Sequence, residues 1–171
     1  IARLQSDPEL RRRLVEERHD DERTRWLVSN LDRSFRLGTP VDFEPDPART
    51  LGAVAAAEGR DPCAVALDWL LEDDGRAILY NTFENYYDGN LEVVRELLED
   101  PATVAGIADG GAHVGYICDA SPPGSMLTVW ARDRTRGPQL PLEFLVKKQT
   151  SDTARVYGLN DRGVLAPGWK A

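Results

Sequence analysis

Apolar positions recur at helical spacing along most of the chain, and two short runs outside the helical patterns read as strands. Ser6-Asp7-Pro8-Glu9 has a Ser three residues before a Glu and a Pro in the first turn, which predicts a capping-box start and a helix to about Glu17. Trp26, Leu27, Leu31 and Phe35 keep a helical period through 20–35, but no cap marks its start. Residues 38–47 hold three prolines and several acids and read as an extended loop. Asp46-Pro47 then opens a helix that Gly59 ends. Asp61-Pro62 opens another, running to about Asp73. Ala64 to Leu67 and Trp69 to Leu71 make it apolar nearly all round, the mark of a mostly buried helix.

Ala77-Ile78-Leu79-Tyr80 is the first apolar run and predicts a short buried strand. A polar, aromatic loop follows, with Asn81, Phe83, Asn85, Tyr86, Tyr87 and Asp88. Asn90 is placed to cap a helix with Leu91, Val94, Leu97 and Leu98 on one face, closed by Pro101. The second apolar run, Thr103 to Ala108, predicts a strand that ends in Asp109-Gly110-Gly111-Ala112-His113. Beyond a turn at Ser121-Pro122-Pro123-Gly124, a short helix is expected over Met126 to Arg132 and another after Pro141. Thr150 or Ser151 is expected to cap a last turn ended by Gly158, before a turn at 164–168. This order is α/β and helix-rich. A closed eight-stranded barrel typically needs about 250 residues, so this chain of 171 is not one by itself.

Composition narrows the function classes. A net charge of −8 disfavours nucleic acid as a partner, since such binders carry a basic patch. The nearest equivalent, Arg11-Arg12-Arg13, is flanked by Glu9, Glu16 and Glu17 and reads as a solvated helix face. No apolar run suits a membrane span, and Ile1 opens a polar stretch without a signal-peptide pattern, so no membrane and a cytoplasmic location are expected. Because the first residue is not Met, the natural start is expected upstream. Cys63 and Cys118 do not make a disulfide framework.

Chemistry concentrates at Asp109. A carboxylate leaving a strand and preceding two glycines serves either as a general base or metal ligand, or as a turn cap. Glycines there let the backbone approach a small ligand. His113, four residues on, is either a substrate contact or a hydrogen-bonded structural group. Arg132 and Arg134 could clamp an anionic group or form helix-surface ion pairs. Asn85 and Tyr86 could line a pocket or pack under their own loop. With two histidines in the chain, no self-sufficient metal site is evident.

Two segments carry a resemblance. Thr150-Ser151-Asp152-Thr153-Ala154-Arg155-Val156-Tyr157-Gly158-Leu159, followed by Asp161-Arg162-Gly163-Val164-Leu165-Ala166-Pro167-Gly168-Trp169-Lys170-Ala171, resembles the C-terminal signature of the amidohydrolase superfamily. Asp109 to His113, Cys118-Asp119-Ala120-Ser121 and Trp130-Ala131-Arg132-Asp133-Arg134 are similar to its N-acyl-D-amino-acid deacylase (D-aminoacylase) branch, a likeness reaching back to about Asp46-Pro47. An alanine, Ala108, stands before Asp109 where the family often has Ser.

The resemblance implies the C-terminal part of a metal-dependent hydrolase TIM barrel, about its last two strands with their helices. It implies one partial domain over 1–171, with 1–45 a helical and loop lead-in and 46–171 the barrel portion. Asp109 would be the general acid/base beside a zinc, and a metal contact whose other ligands lie outside this chain. The substrate would be a small N-acyl amino acid, cleaved at an amide or related C–N bond other than a peptide bond. No zinc would be held tightly by this chain alone. The alternative is a non-catalytic remnant or an interaction or oligomerisation module. An open half-barrel would self-associate or pair with the missing barrel portion.

Overall fold

The computed structural model describes residues 1–17, 20–82, 84–106 and 120–170, without the side chains of 23, 27 and 84. The chain forms two compact units, Ile1–Asn90 and Leu91–Ala171. Among the described residues it is helix-rich, with one two-stranded sheet and no closed barrel. None of the described helices is long and apolar enough to cross a membrane.

The first unit opens with α1 (Ala2–Ser6) and α2 (Pro8–Glu16). Ser6 ends α1, and the cap of α2 is Asp7, whose Oδ1 accepts from the Leu10 amide at 3.0 Å. The expected Ser cap fails because Ser6 is itself the last residue of α1, its Oγ donating back to the Ala2 carbonyl at 2.9 Å. The ambiguous stretch resolves into α3 (Glu22–Ser29), a 3₁₀ turn at Leu31–Arg33 and β1 (Ser34–Arg36). Asp21 accepts from the Thr24 amide at 2.7 Å and starts α3.

The helix expected from Asp46 divides in two. Asp46 caps a 3₁₀ turn at Pro47–Arg49, and Thr50 then caps α4 (Leu51–Glu58), its Oγ1 accepting from the Ala53 amide at 3.1 Å. Gly59 ends α4 at φ +64°, a left-handed conformation that a Cβ would oppose. α5 (Pro62–Gly75) starts where Asp61 accepts from the Cys63 amide at 2.7 Å. It loses helical geometry at Glu72, where ψ reaches 155°, and Asp73 and Asp74 take positive φ.

Leu51, Ala55, Val65, Ala66 and Trp69 form the core of this unit, with Leu31, Val54 and Leu79 packed on it. α5 is therefore buried on one side only, and Leu70 on the other is 42% exposed. Asp68 joins α2 to α5 by ion pairs with both Arg11 and Arg60. Burial works to raise the Asp68 pKa, but hydrogen bonds from the two guanidinium groups outweigh it and hold the carboxyl below its usual value.

β2 (Leu79–Asn81) pairs antiparallel with β1, in the register Ser34 to Asn81, Phe35 to Tyr80 and Arg36 to Leu79. The strand expected at 77–80 is thus present two residues later, but its partner was unexpected and the parallel ladder of a barrel is not formed among the described residues.

The second unit begins with α6 (Glu92–Glu99). Asn90 does not cap it with a side-chain bond; its Nδ2 donates to the Asp88 carbonyl at 3.2 Å. Residues 103–106 carry no strand, and 107–119 lie outside the described residues. α7 (Pro122–Thr128) runs into a π-helical turn at Val129–Asp133. α8 (Leu142–Lys147) likewise runs through a π turn at Lys148–Asp152 into α9 (Thr153–Val156).

The predicted break at Thr150 is absent. Its hydroxyl donates back to the Val146 carbonyl at 2.8 Å, and that of Thr153 donates to the Lys148 carbonyl at 3.0 Å. Both hydroxyls serve a continuing helix instead of capping a new one. Met126, Trp130, Leu140 and Leu145 form the core here, with the α6 residues Val94 and Leu98 against it.

Leu51 has no exposed surface, whereas Leu165 is 98% exposed. Leu51→Ala is expected to cost about 3 kcal/mol, read from the urea midpoint. Leu165→Ala should leave that midpoint unchanged, and equal losses for the two would contradict this core.

Candidate functional site

The loop after β2 is anchored from below. The 3₁₀ turn Glu84–Tyr86 directs Tyr86 inward, where it is 6% exposed. Its ring meets Phe35 edge-on, with centroids 5.9 Å apart, and its hydroxyl donates to the Pro45 carbonyl. Tyr86 therefore packs under its own loop, one of its two sequence readings, while Asn85 is exposed. Asn81 donates from Nδ2 to the Asn30 carbonyl at 3.0 Å and to Ser34 Oγ at 3.1 Å. Its Oδ1 is buried with no hydrogen-bond partner among the described residues. Burial, with the nearby Tyr86 and Asp42, raises the pKa of Tyr80, which favours its neutral phenol.

In the second unit the two candidate arginines have opposite environments. The side chain of Arg134 has no exposed surface. Its Nη2 donates to Glu92 Oε1 at 2.5 Å and its Nη1 to the Pro138 carbonyl at 3.0 Å, with the guanidinium 4.8 Å from the Trp130 ring centre. Gly137 makes this possible, since a Cβ there would lie 2.5 Å from both Arg134 Nη2 and Glu92 Oε1. Arg132 is 70% exposed and holds Asp133 through two hydrogen bonds, at 2.5 and 2.8 Å. Two residues apart, one guanidinium faces solvent and the other supports the fold.

Asp109 and His113 lie outside the described residues, as does Cys118, while Cys63 is half-buried. Among the described residues no group of three His, Cys, Asp or Glu could hold a metal ion. Two residues absent from the sequence reading matter here. Glu92 is the partner of Arg134, a pairing across 42 positions that no local pattern marks. Lys148 is 3% exposed, and its position was legible, because it lies three residues after the fully buried Leu145 on the same helical face.

Residues 13–171 match the family model described as Amidohydrolase family. A curated relative, the imidazolonepropionase of Paracoccus denitrificans (strain Pd 1222), is 30% identical over 151 residues, covering 85% of this chain and 37% of the relative. The chain thus spans little more than a third of that relative's length. No solved structure matches.

Hydrogen bonds from Arg95 and then Arg134 hold the Glu92 carboxyl below the usual glutamate range. A folded-state pKa below the unfolded one gives stability that is present above the unfolded value and lost as pH falls through the folded value. Glu92→Gln should be less stable than the natural chain at neutral pH, and the gap should close on acidification. A thermal-midpoint difference that stays constant from pH 7 to about pH 3 would contradict the linkage. Arg134→Leu removes both hydrogen bonds and should cost about 2 kcal/mol at neutral pH by urea unfolding.

Proposed function

The chain belongs to the amidohydrolase family, and from that premise we propose that it is the C-terminal, acid/base-bearing part of a hydrolase acting on C–N bonds other than peptide bonds. The observation that carries this reading is the extent of the family match, which runs unbroken through Asp109-Gly110-Gly111-Ala112-His113 and the segment from Thr150 to the end. The barrel reading belongs to the proposal too: 77–80 and 103–108 would stand as its last two strands when the whole barrel is assembled.

In this reading the substrate is an N-acyl-D-amino acid. Asp109 takes the proton of the attacking water and returns one to the leaving amine, two transfers that a single carboxyl can make in turn. Arg132 is the arginine proposed to meet the substrate carboxylate, because its guanidinium is solvent-facing whereas that of Arg134 is committed to Glu92. His113 is assigned a supporting contact with the substrate, as is the exposed Asn85, whose own loop Tyr86 holds from below. The described residues do not fit a metal site, so no step is routed through zinc. Zinc enters only as the proposed metal of the assembled enzyme, on ligands other than the described residues. Self-association, or pairing with the remaining barrel portion, is part of the same proposal.

The similarity to an imidazolonepropionase favours a second reading, in which the substrate is an imidazolone bearing a propionate and the same carboxyl serves the hydrolysis.

The test is hydrolysis by the full-length protein, with its metal content measured alongside. Turnover of N-acyl-D-amino acids, lost on chelation and reduced about 10³-fold by Asp109→Asn, is the expected outcome. Turnover of imidazolonepropionate alone would select the second reading. Activity untouched by Asp109→Asn would refute the role of that carboxyl. No hydrolysis by a metal-loaded protein would favour a packing or interaction module instead. Residues 1–171 alone are expected to be inactive.

A further inference from the structure

A cavity of about 320 Å³ lies in the second unit between the end of α6 and the α8–α9 helix. Its apolar wall includes Val104, Phe144 and Val156, and Lys148 is among its lining residues. Lys148 is a buried cation at 3% exposure. Its Nζ donates to the Asp100 carbonyl at 2.7 Å and to Thr103 Oγ1 at 3.1 Å. Both partners are neutral. The Asp100 carbonyl stands at the C-terminal end of α6, where the helix dipole favours a cation but supplies only part of a charge.

The other charges of the wall are already matched. Lys147 holds both oxygens of Asp152, at 2.6 and 2.7 Å, and Arg155 approaches the same carboxylate at 3.4 Å. Glu99 is paired with Arg95. Lys148 is left as the one cation of this wall with no carboxylate in ion-pair reach among the described residues. A buried charge without a counter-ion is costly unless something supplies one. An ammonium has three N–H donors, of which the contacts with described residues use two. The volume falls within the range of small-molecule sites, which combine apolar lining with a few placed polar or charged groups.

We propose that this cavity binds a small organic carboxylate, with the carboxylate on Lys148 and its apolar body against Val104, Phe144 and Val156. The π turn that begins at Lys148 has a structural part in this. It widens the helix at that residue, and π turns inside helices recur at functional positions. The site is independent of Asp109 and of the hydrolytic reading, so either can fail without the other.

The test is titration of the full chain with hexanoate, followed by saturation-transfer NMR and calorimetry, beside hexanol and inorganic phosphate. Hexanoate should bind at least about tenfold more tightly than either, and added salt should weaken it. Lys148→Met should remove that preference, with circular dichroism to establish that the variant folds. Should it not fold, Val156→Asp decides. Val156 is 64% exposed, so the substitution spares the core while placing a negative charge at the rim. It should weaken hexanoate about tenfold more than it weakens hexanol, which loses only the apolar contact. Equal binding of hexanol, equal binding of phosphate, indifference of hexanoate to Val156→Asp, or no binding of hexanoate would each overturn the proposal.

Discussion

Burial of the Arg134 guanidinium is the constraint on which Leu91–Ala171 depends. A planar cation taken out of water must have its donors met and its charge answered, or the fold loses several kcal/mol. Glu92 at the first turn of α6 answers the charge, the Pro138 carbonyl takes another donor, and Trp130 offers its ring face. These demands fix three things together: where α6 sits against the α7 helix, how the loop after Asp133 returns, and why Gly137 has no side chain. The bond from the Leu140 amide to the Trp130 carbonyl, at 2.8 Å, closes the same loop. Met126, Trp130, Leu140 and Leu145 then pack in the space so defined.

Ile1–Asn90 follows a different logic. Its core cluster is apolar, with Leu51 and Val65 fully enclosed, and Glu44 is a charged residue buried outside that cluster. Asp68 between Arg11 and Arg60 ties helices together while remaining accessible to water, so its energetic worth is modest. The polar anchor here is Tyr86, a hydroxyl donating to the backbone and a ring set edge-on against Phe35. It holds the loop after β2, and the buried oxygen of Asn81 at the end of that strand has no partner among the described residues.

Family membership gives these local arrangements a chemical frame. In the proposed enzyme Asp109 moves protons, and the exposed Arg132 is available for a carboxylate because Arg134 has taken the structural task. Asp133 holds Arg132 through two hydrogen bonds. A substrate carboxylate would therefore compete with an existing pair, and exposed pairs of this kind are weak enough to exchange.

Local signals were legible where the physics is local. Gly59 ended α4 at positive φ, Asp61-Pro62 opened α5, and Pro141 preceded α8, because caps and turns involve only neighbours along the chain. Family membership was legible as well, through motifs read in order. What the sequence left undecided were choices among competing partners, near as well as distant. Asp7 capping in place of Ser6, β1 pairing antiparallel with β2, and α8 continuing through Thr150 into α9 each rest on what space and packing allow. Arg132 and Arg134 looked alike in the sequence, two residues apart in a charged segment. Only the tertiary structure separated them, because burial and the nearness of Glu92, 42 positions away, are properties of folded space and not of the chain.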